Sequence, residues 1–207
     1  MLCYVTDTRA LAGRHEAREA IRRAVSAGVD WIQIREKNPD TRALTELVRE
    51  AVSLAGSGTQ RSGTCILVND RLDVAIAAGA AGVHLGERAL PREAVAAWRR
   101  GAGRTEFRIG ASCHSLEAAL AAEQRGADYI FFGPVFATPA KTKFGAPQGI
   151  DRLREVCRAV QIPVLAIGGI TIENANSCVA AGAAGIAAIR LFQESADVAA
   201  VVEHLLR

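Results

Sequence analysis

The chain has 207 residues, half of them hydrophobic, only 5% aromatic, and a formal net charge of +3. That supplies enough apolar material for one well-buried domain, and no apolar run is long enough to span a membrane. Arginines are scattered among glutamates rather than clustered, which excludes the basic face of a nucleic-acid-binding protein.

Ala, Val, Ile, Leu and Gly dominate, the mix that suits parallel strands covered by helices. The five cysteines (Cys3, Cys65, Cys113, Cys157 and Cys178) are far apart and odd in number. They lack metal-ligand and redox spacing, so reduced thiols in a cytoplasmic protein are expected. The segment Met1-Leu2-Cys3-Tyr4-Val5-Thr6-Asp7 has no basic stretch leading into a long apolar core, so no signal peptide is expected.

Short β-like runs alternate with helical patterns. Leu2-Cys3-Tyr4-Val5 is the first run, ending at Thr6-Asp7, and a helix is predicted over about 15–27. Val29 to Arg35 is the second. Asn38-Pro39-Asp40-Thr41 then gives stop and start signals for a helix through Leu54. Cys65-Ile66-Leu67-Val68 ends at Asn69-Asp70, with a helix through Ala78. Gly82-Val83-His84-Leu85-Gly86 follows, and Pro91 fits the first turn of the next helix. Phe107 to Ser112 is the fifth run, and Ser115 opens a helix through Arg125. Tyr129-Ile130-Phe131-Phe132 leads into a long connection, Gly133 to Gly149. Ile162 to Ile167 ends at Gly168-Gly169-Ile170, and Thr171 starts a helix. Gly185 to Ile189 is the last run, and a final helix is predicted to end at Leu206.

Ala27-Gly28-Val29-Asp30, Ala78-Gly79-Ala80-Ala81, Arg125-Gly126-Ala127-Asp128 and Ala181-Gly182-Ala183-Ala184 echo one another, each ending a helix with glycine before a strand. Eight βα units in one chain of this size predict a single (β/α)₈ TIM barrel spanning 1–207. A doubly wound open sheet has the same alternation, but no GxGxxG follows the first strand.

In such a barrel, ligands meet the C-terminal strand ends. The polar groups there are Gln33, Arg35 and Lys37, then Asn69 and Asp70, His84 and Glu87, Ser112 and His114, Thr138, Lys141 and Lys143, and Arg190. Arg35, Lys37 and Lys141 point to an anionic, phosphate-bearing ligand. Gly168-Gly169 and Ile189-Arg190 lie where barrels often build a phosphate site from backbone N–H groups. Asp70 is a candidate ligand for Mg²⁺ bridging phosphate oxygens. Structural readings stand beside these. Arg35 has Glu36 or Asp70 as ion-pair partners, Asp70 suits a helix N-cap, and Gly168-Gly169 suits a tight turn. His84 reads as a core or rim histidine. Adjacent Cys113 and His114 are not expected to form a nucleophile–base pair, because chain neighbours rarely point at each other.

The connection Gly133 to Gly149 exceeds the usual length of a strand-to-helix loop, which suits either a working loop or a flexible surface loop.

Together, Tyr4-Val5-Thr6-Asp7, Gln33-Ile34-Arg35-Glu36-Lys37, Val68-Asn69-Asp70-Arg71, Gly82-Val83-His84-Leu85-Gly86, Ser112-Cys113-His114-Ser115, Gly126-Ala127-Asp128-Tyr129, Gly133-Pro134-Val135-Phe136-Ala137-Thr138 and Ala166-Ile167-Gly168-Gly169-Ile170 resemble the thiamine-phosphate synthase superfamily. That superfamily also contains the thiazole tautomerases. The resemblance runs along nearly the whole chain and implies a barrel that joins two small molecules. One is hydroxymethylpyrimidine diphosphate and the other a thiazole phosphate; the products are thiamine phosphate and pyrophosphate. It implies Mg²⁺, departure of the diphosphate first, and capture of the pyrimidine carbocation by the thiazole nitrogen.

By the same resemblance, Gln33, Arg35, Lys37 and Asn69 serve the pyrimidine diphosphate and Asp70 the metal. Ser112 lies near diphosphate and pyrimidine, Lys141 is a loop lysine on the phosphates, and Thr138 and Gly168 serve the thiazole phosphate. Arg35, Lys37, Ser112 and Lys141 are the implied catalytic groups.

Three positions depart from the family pattern. Its second metal-binding aspartate aligns with Ala89, with Glu87 two positions away. Its second loop hydroxyl aligns with Ala140. Its serine after the last strand aligns with Arg190, which brings a full charge and a fork in place of a hydroxyl. The loss of a metal ligand keeps open a tautomerase-like paralogue, although the histidine resembling that enzyme's acid–base group is Pro134 here. A non-catalytic phosphate-ligand-binding barrel also stays open, as does the choice between a monomer and a homo-oligomer.

Overall fold

The computed structural model describes residues 1–7, 11, 14–36, 40–56, 63–138 and 146–206, with Arg14 as backbone only. Its strands are β1 (Leu2–Val5), β2 (Trp31–Ile34), β3 (Cys65–Asn69), β4 (Gly82–Leu85), β5 (Arg108–Cys113), β6 (Tyr129–Phe132), β7 (Val164–Ile167) and β8 (Gly185–Ala188). They close in sequence order into a barrel, as predicted. The helices are α1 (Arg14–Ser26), α2 (Thr41–Gly56), α3 (Leu72–Ala78), α4 (Arg92–Gly101), α5 (Leu116–Gln124), α6 (Gly149–Ala159), α7 (Ile172–Ala180), α8 (Arg190–Gln193) and α9 (Val198–Leu205). None of the described helices is long and apolar enough to cross a membrane.

The chain divides into two compact units. The first comprises Leu2–His84 and Ile189–Arg207. Its strands pair in parallel, with Cys3 opposite Trp31, Ile32 opposite Ile66 and Val68 opposite Val83. β1 and β2 are buried along their whole length, which is why they read as continuous rather than alternating runs. Helix α2 buries Ala43, Leu44, Leu47, Val48, Ala51 and Ala55, one face at helical spacing, and packs between α1 and α3. The second unit comprises Met1 and Leu85–Ala188. There Ala111 lies opposite Ile130, Phe131 opposite Leu165 and Ala166 opposite Ile186, and α6 packs between α5 and α7.

The helix starts follow the predicted caps. The carboxylate of Asp40 accepts the Ala43 N–H at 2.9 Å, and the Ser115 hydroxyl accepts the Ala118 N–H at 3.1 Å. The four echoed glycines, Gly28, Gly79, Gly126 and Gly182, all have positive φ (79°, 71°, 86° and 104°), a conformation that a side chain disfavours.

The final helix expected to end at Leu206 is α9, and a single-turn helix stands before it: α8 ends at Gln193, and Asp197 starts α9 by accepting the Ala200 N–H at 2.9 Å. The Asp197 side chain offers the backbone a local acceptor, so a new helix begins there instead of the old one continuing.

Candidate active site

At the strand ends of the first unit, three polar side chains form a chain of hydrogen bonds. Gln33 of β2 is only 2% exposed. Its Nε2 donates to Asn69 Oδ1 at 3.4 Å, and Asn69 Nδ2 donates to Asp70 Oδ2 at 2.8 Å. Asp70 has φ 59° and is the one non-glycine residue of positive φ among those described. Such backbone costs on the order of 1 kcal/mol or more and is characteristic of functional positions. Two bonds hold it there: the Asp70 N–H donates to His84 O at 2.8 Å and the Arg71 N–H to Asn69 O at 2.7 Å. The carboxylate is exposed at the end of β3.

Asp70 is not a helix cap. The N-cap of α3 is Arg71, which makes no side-chain capping bond. Arg71 instead bonds Asp73 at 2.6 Å, and that bond holds the Asp73 carboxyl below the usual carboxylate range. His84 is 1% exposed, in keeping with a core histidine.

Arg35 follows β2 and is half-buried. Its N–H donates to the Thr6 hydroxyl at 2.9 Å, while the Thr6 N–H donates to Gln33 O at 3.0 Å. Arg190 is exposed and opens α8 directly after Ile189. Gln193 at the other end of α8 bonds Tyr4 and Asp7. Sequence reading passed over this contact, since a helical glutamine ordinarily faces water.

The strand ends of the second unit are built largely from backbone. Ser112 lies on β5, opposite Phe131 and half-buried. His114 Nδ1 bonds the carbonyl of Gly133, whereas Cys113 Sγ donates weakly to Ala118 O at 3.5 Å. Burial pushes the Cys113 thiol up to about 11, and the separate partners exclude a Cys–His pair.

After β6 the chain runs beside the end of β7. The Val135 N–H donates to Ile167 O at 2.9 Å and the Phe136 N–H to Gly168 O at 3.0 Å. The far end of the connection returns to the same place, with the Gln148 N–H on Pro134 O at 2.8 Å and the Gly149 N–H on Val135 O at 3.0 Å. This approach dictates the glycine pair. A Cβ on Gly168 would lie 2.5 Å from Pro134 Cβ, and one on Gly169 would lie 2.6 Å from Ala137 O. The Gly169 carbonyl accepts from Asn174 Nδ2 at 2.9 Å. Thr138 is half-buried at the last described position before the connection's centre.

Lys37, Ala140, Lys141 and Lys143 lie outside the described residues. Glu87 is exposed in the turn after β4, where the Ala89 N–H bonds Gly86 O at 3.2 Å. Among the described residues no three His, Cys, Asp or Glu side chains gather as a metal cage.

A closed parallel barrel of eight strands with a helix after each belongs to the (β/α)₈ class, whose members bind small molecules at the C-terminal strand ends. The family model described as thiamine monophosphate synthase matches residues 2–192. The chain is 41% identical over 202 residues to the thiamine-phosphate synthase of Methanocella arvoryzae, covering 98% of this chain and 92% of that one. It is 41% identical over 204 residues to the thiamine-phosphate synthase of Chloroflexus aurantiacus, covering 99% and 90%. The solved structure of thiamine phosphate pyrophosphorylase from Pyrococcus furiosus matches with a TM-score of 0.83 at 37% identity, covering 99% of this chain and 93% of that one. This chain belongs to the thiamine monophosphate synthase family.

Proposed function

We infer that the chain is a thiamine-phosphate synthase, a transferase that joins hydroxymethylpyrimidine diphosphate to a thiazole phosphate and releases pyrophosphate. The observation that carries the reading is Asp70, held in left-handed backbone at the end of the Gln33–Asn69–Asp70 chain. An exposed carboxylate held in left-handed backbone at a strand end is characteristic of a functional position.

The roles follow from residue chemistry. Arg35, Lys37 and Lys141 place positive charge on the diphosphate, whose charge grows as it leaves, so preorganised cations lower the barrier. Gln33 and Asn69 offer amide donors and acceptors to the pyrimidine ring and diphosphate. Ser112 offers a hydroxyl to the same substrate. Thr138, Gly168, Gly169, Ile189 and Arg190 serve the thiazole phosphate through a hydroxyl, backbone N–H groups and a guanidinium. Little covalent chemistry is needed beyond bringing the two rings together and excluding water.

The residues fit the metal that the family implies. Mg²⁺ is commonly held by one or two carboxylates plus substrate phosphates and water, so a full protein cage is not required. Asp70 is its proposed ligand. Bound there, Mg²⁺ would neutralise diphosphate charge. The reading extends to one domain over 1–207, working in the cytoplasm on two small molecules.

The test supplies both precursors to the purified protein, with and without Mg²⁺, and quantifies thiamine phosphate. Mg²⁺-dependent product supports the reading. Interconversion of the thiazole tautomers without coupling, or saturable binding with neither reaction, would replace it by the paralogue or the binder.

A further inference from the structure

Helix α8 is a single turn, too short to hold its own conformation, yet it begins with Arg190. Its last two residues both rest on Tyr4 of β1. Phe192 is buried, and its ring lies 6.0 Å from that of Tyr4 at an interplanar angle of 55°. Gln193 is 7% exposed, and three bonds engage its amide. Its Oε1 accepts from the Tyr4 hydroxyl at 3.0 Å and from the Asp7 N–H at 3.1 Å, while Nε2 donates to Asp7 O at 3.1 Å.

The two bonds to Asp7 copy a peptide–peptide rung. Because the Asp7 N–H needs an acceptor and its carbonyl a donor, the orientation of the amide is fixed. Burial holds the Tyr4 hydroxyl far above the usual phenol range, so it remains a donor. Arg23 donates to Ser195 O at 3.1 Å and secures the chain as it leaves α8. Thr6, next to Asp7, receives the Arg35 N–H, so one end of β1 is bonded both to α8 and to the segment after β2.

We propose that Gln193 is a positioning residue: its amide docks α8 onto Tyr4 and Asp7 and thereby presents Arg190 to the phosphate of the thiazole substrate. The inference rests on the reading of Arg190 given above. Stacking of Phe192 on Tyr4 supplies non-directional attraction, whereas the amide bonds set the angle at which the helix, and so Arg190, leaves the barrel.

A double-mutant cycle tests it, read by calorimetric titration of thiazole phosphate so that turnover is not required. Arg190→Ala is expected to weaken binding about tenfold, and Gln193→Leu by a similar factor. The double variant should be no weaker than Arg190→Ala alone, because Gln193 acts only through Arg190. Tyr4→Phe removes one bond of three and should give a smaller loss, again absent in the Arg190→Ala background; it carries the cycle if Gln193→Leu does not fold. Losses that multiply, or an unchanged Kd for both Gln193→Leu and Tyr4→Phe, overturn the positioning role. An unchanged Kd for Arg190→Ala overturns the role of Arg190 and the clamp with it. Failure of the parent protein to bind thiazole phosphate at all overturns the wider functional reading.

Discussion

The two units of the chain enter their strands in the same way and leave them differently. Asp30, just before β2, accepts the Leu2 N–H at 2.7 Å; Asp128, just before β6, accepts the Ile109 N–H at 2.7 Å. Each carboxylate follows one of the echoed glycines and ties the start of its strand to the preceding one. At the other ends the likeness stops. The first unit offers side chains, Gln33, Asn69 and Asp70, in one hydrogen-bonded run. The second offers close-packed backbone, Gly133, Gly168 and Gly169, with Pro134 to Ala137 laid against it. The repeated device is structural, and the proposed site residues sit where the repeat breaks down.

Adding one methyl group in each unit should show the largest difference. A Cβ on Gly133 would lie 1.9 Å from the Ile167 carbonyl oxygen and 2.9 Å from its carbonyl carbon, backbone atoms that cannot swing away. Gly133→Ala is expected to cost on the order of 3 kcal/mol or more, visible as loss of folded protein in urea titrations. Gly79→Ala in the first unit meets nothing within 4 Å and carries only the strain of φ 71°, so about 1 kcal/mol is expected. Similar midpoints for the two would break the contrast between packed and open backbone.

Asp128→Ala should cost about 1–3 kcal/mol, because it strips a buried N–H of its acceptor and leaves Arg99 with only the Phe107 carbonyl. Asp30→Ala should cost less, since its carboxylate holds the Leu2 N–H and, among the described residues, pairs with no arginine. Chemical denaturation of both variants checks the order; equal losses would mean that Arg99 contributes little. Ser115→Ala is smaller again, about 1 kcal/mol from the lost cap of α5.

The smallest effect concerns pH. The bond from Arg71 lowers the Asp73 carboxyl, so its stabilisation is present above the unfolded carboxylate range and fades as pH falls through the folded value. Asp73 is well exposed, so Asp73→Asn should flatten the acid limb of the stability curve by no more than a few tenths of a kcal/mol.

Much of this was legible in the residues. Strands buried on both faces leave runs such as Tyr129-Ile130-Phe131-Phe132, and Asp40 and Ser115 announce their helices, so the barrel could be read in order. The Asn69-Asp70 pair was legible as a strand end but not as strain, because the same letters suit an N-cap; only the backbone angle separates the two. Gly168-Gly169 announced a special backbone, yet its cause is a loop more than thirty residues earlier in the chain. Gln193 was invisible, since its partner Tyr4 is 189 positions away. Lys37 and Lys141, which carry the proposed positive charge, lie outside the described residues and rest on the sequence alone.

The claim that the side-chain end of the first unit handles metal and diphosphate is tested most directly at Asp70. Asp70→Ala should cost only about 1 kcal/mol of stability, from the lost Asn69 bond and the left-handed backbone that remains, while thiamine phosphate formation falls by about a hundredfold or more and loses its response to Mg²⁺. Turnover that stays Mg²⁺-dependent at the parent rate in Asp70→Ala would contradict the account.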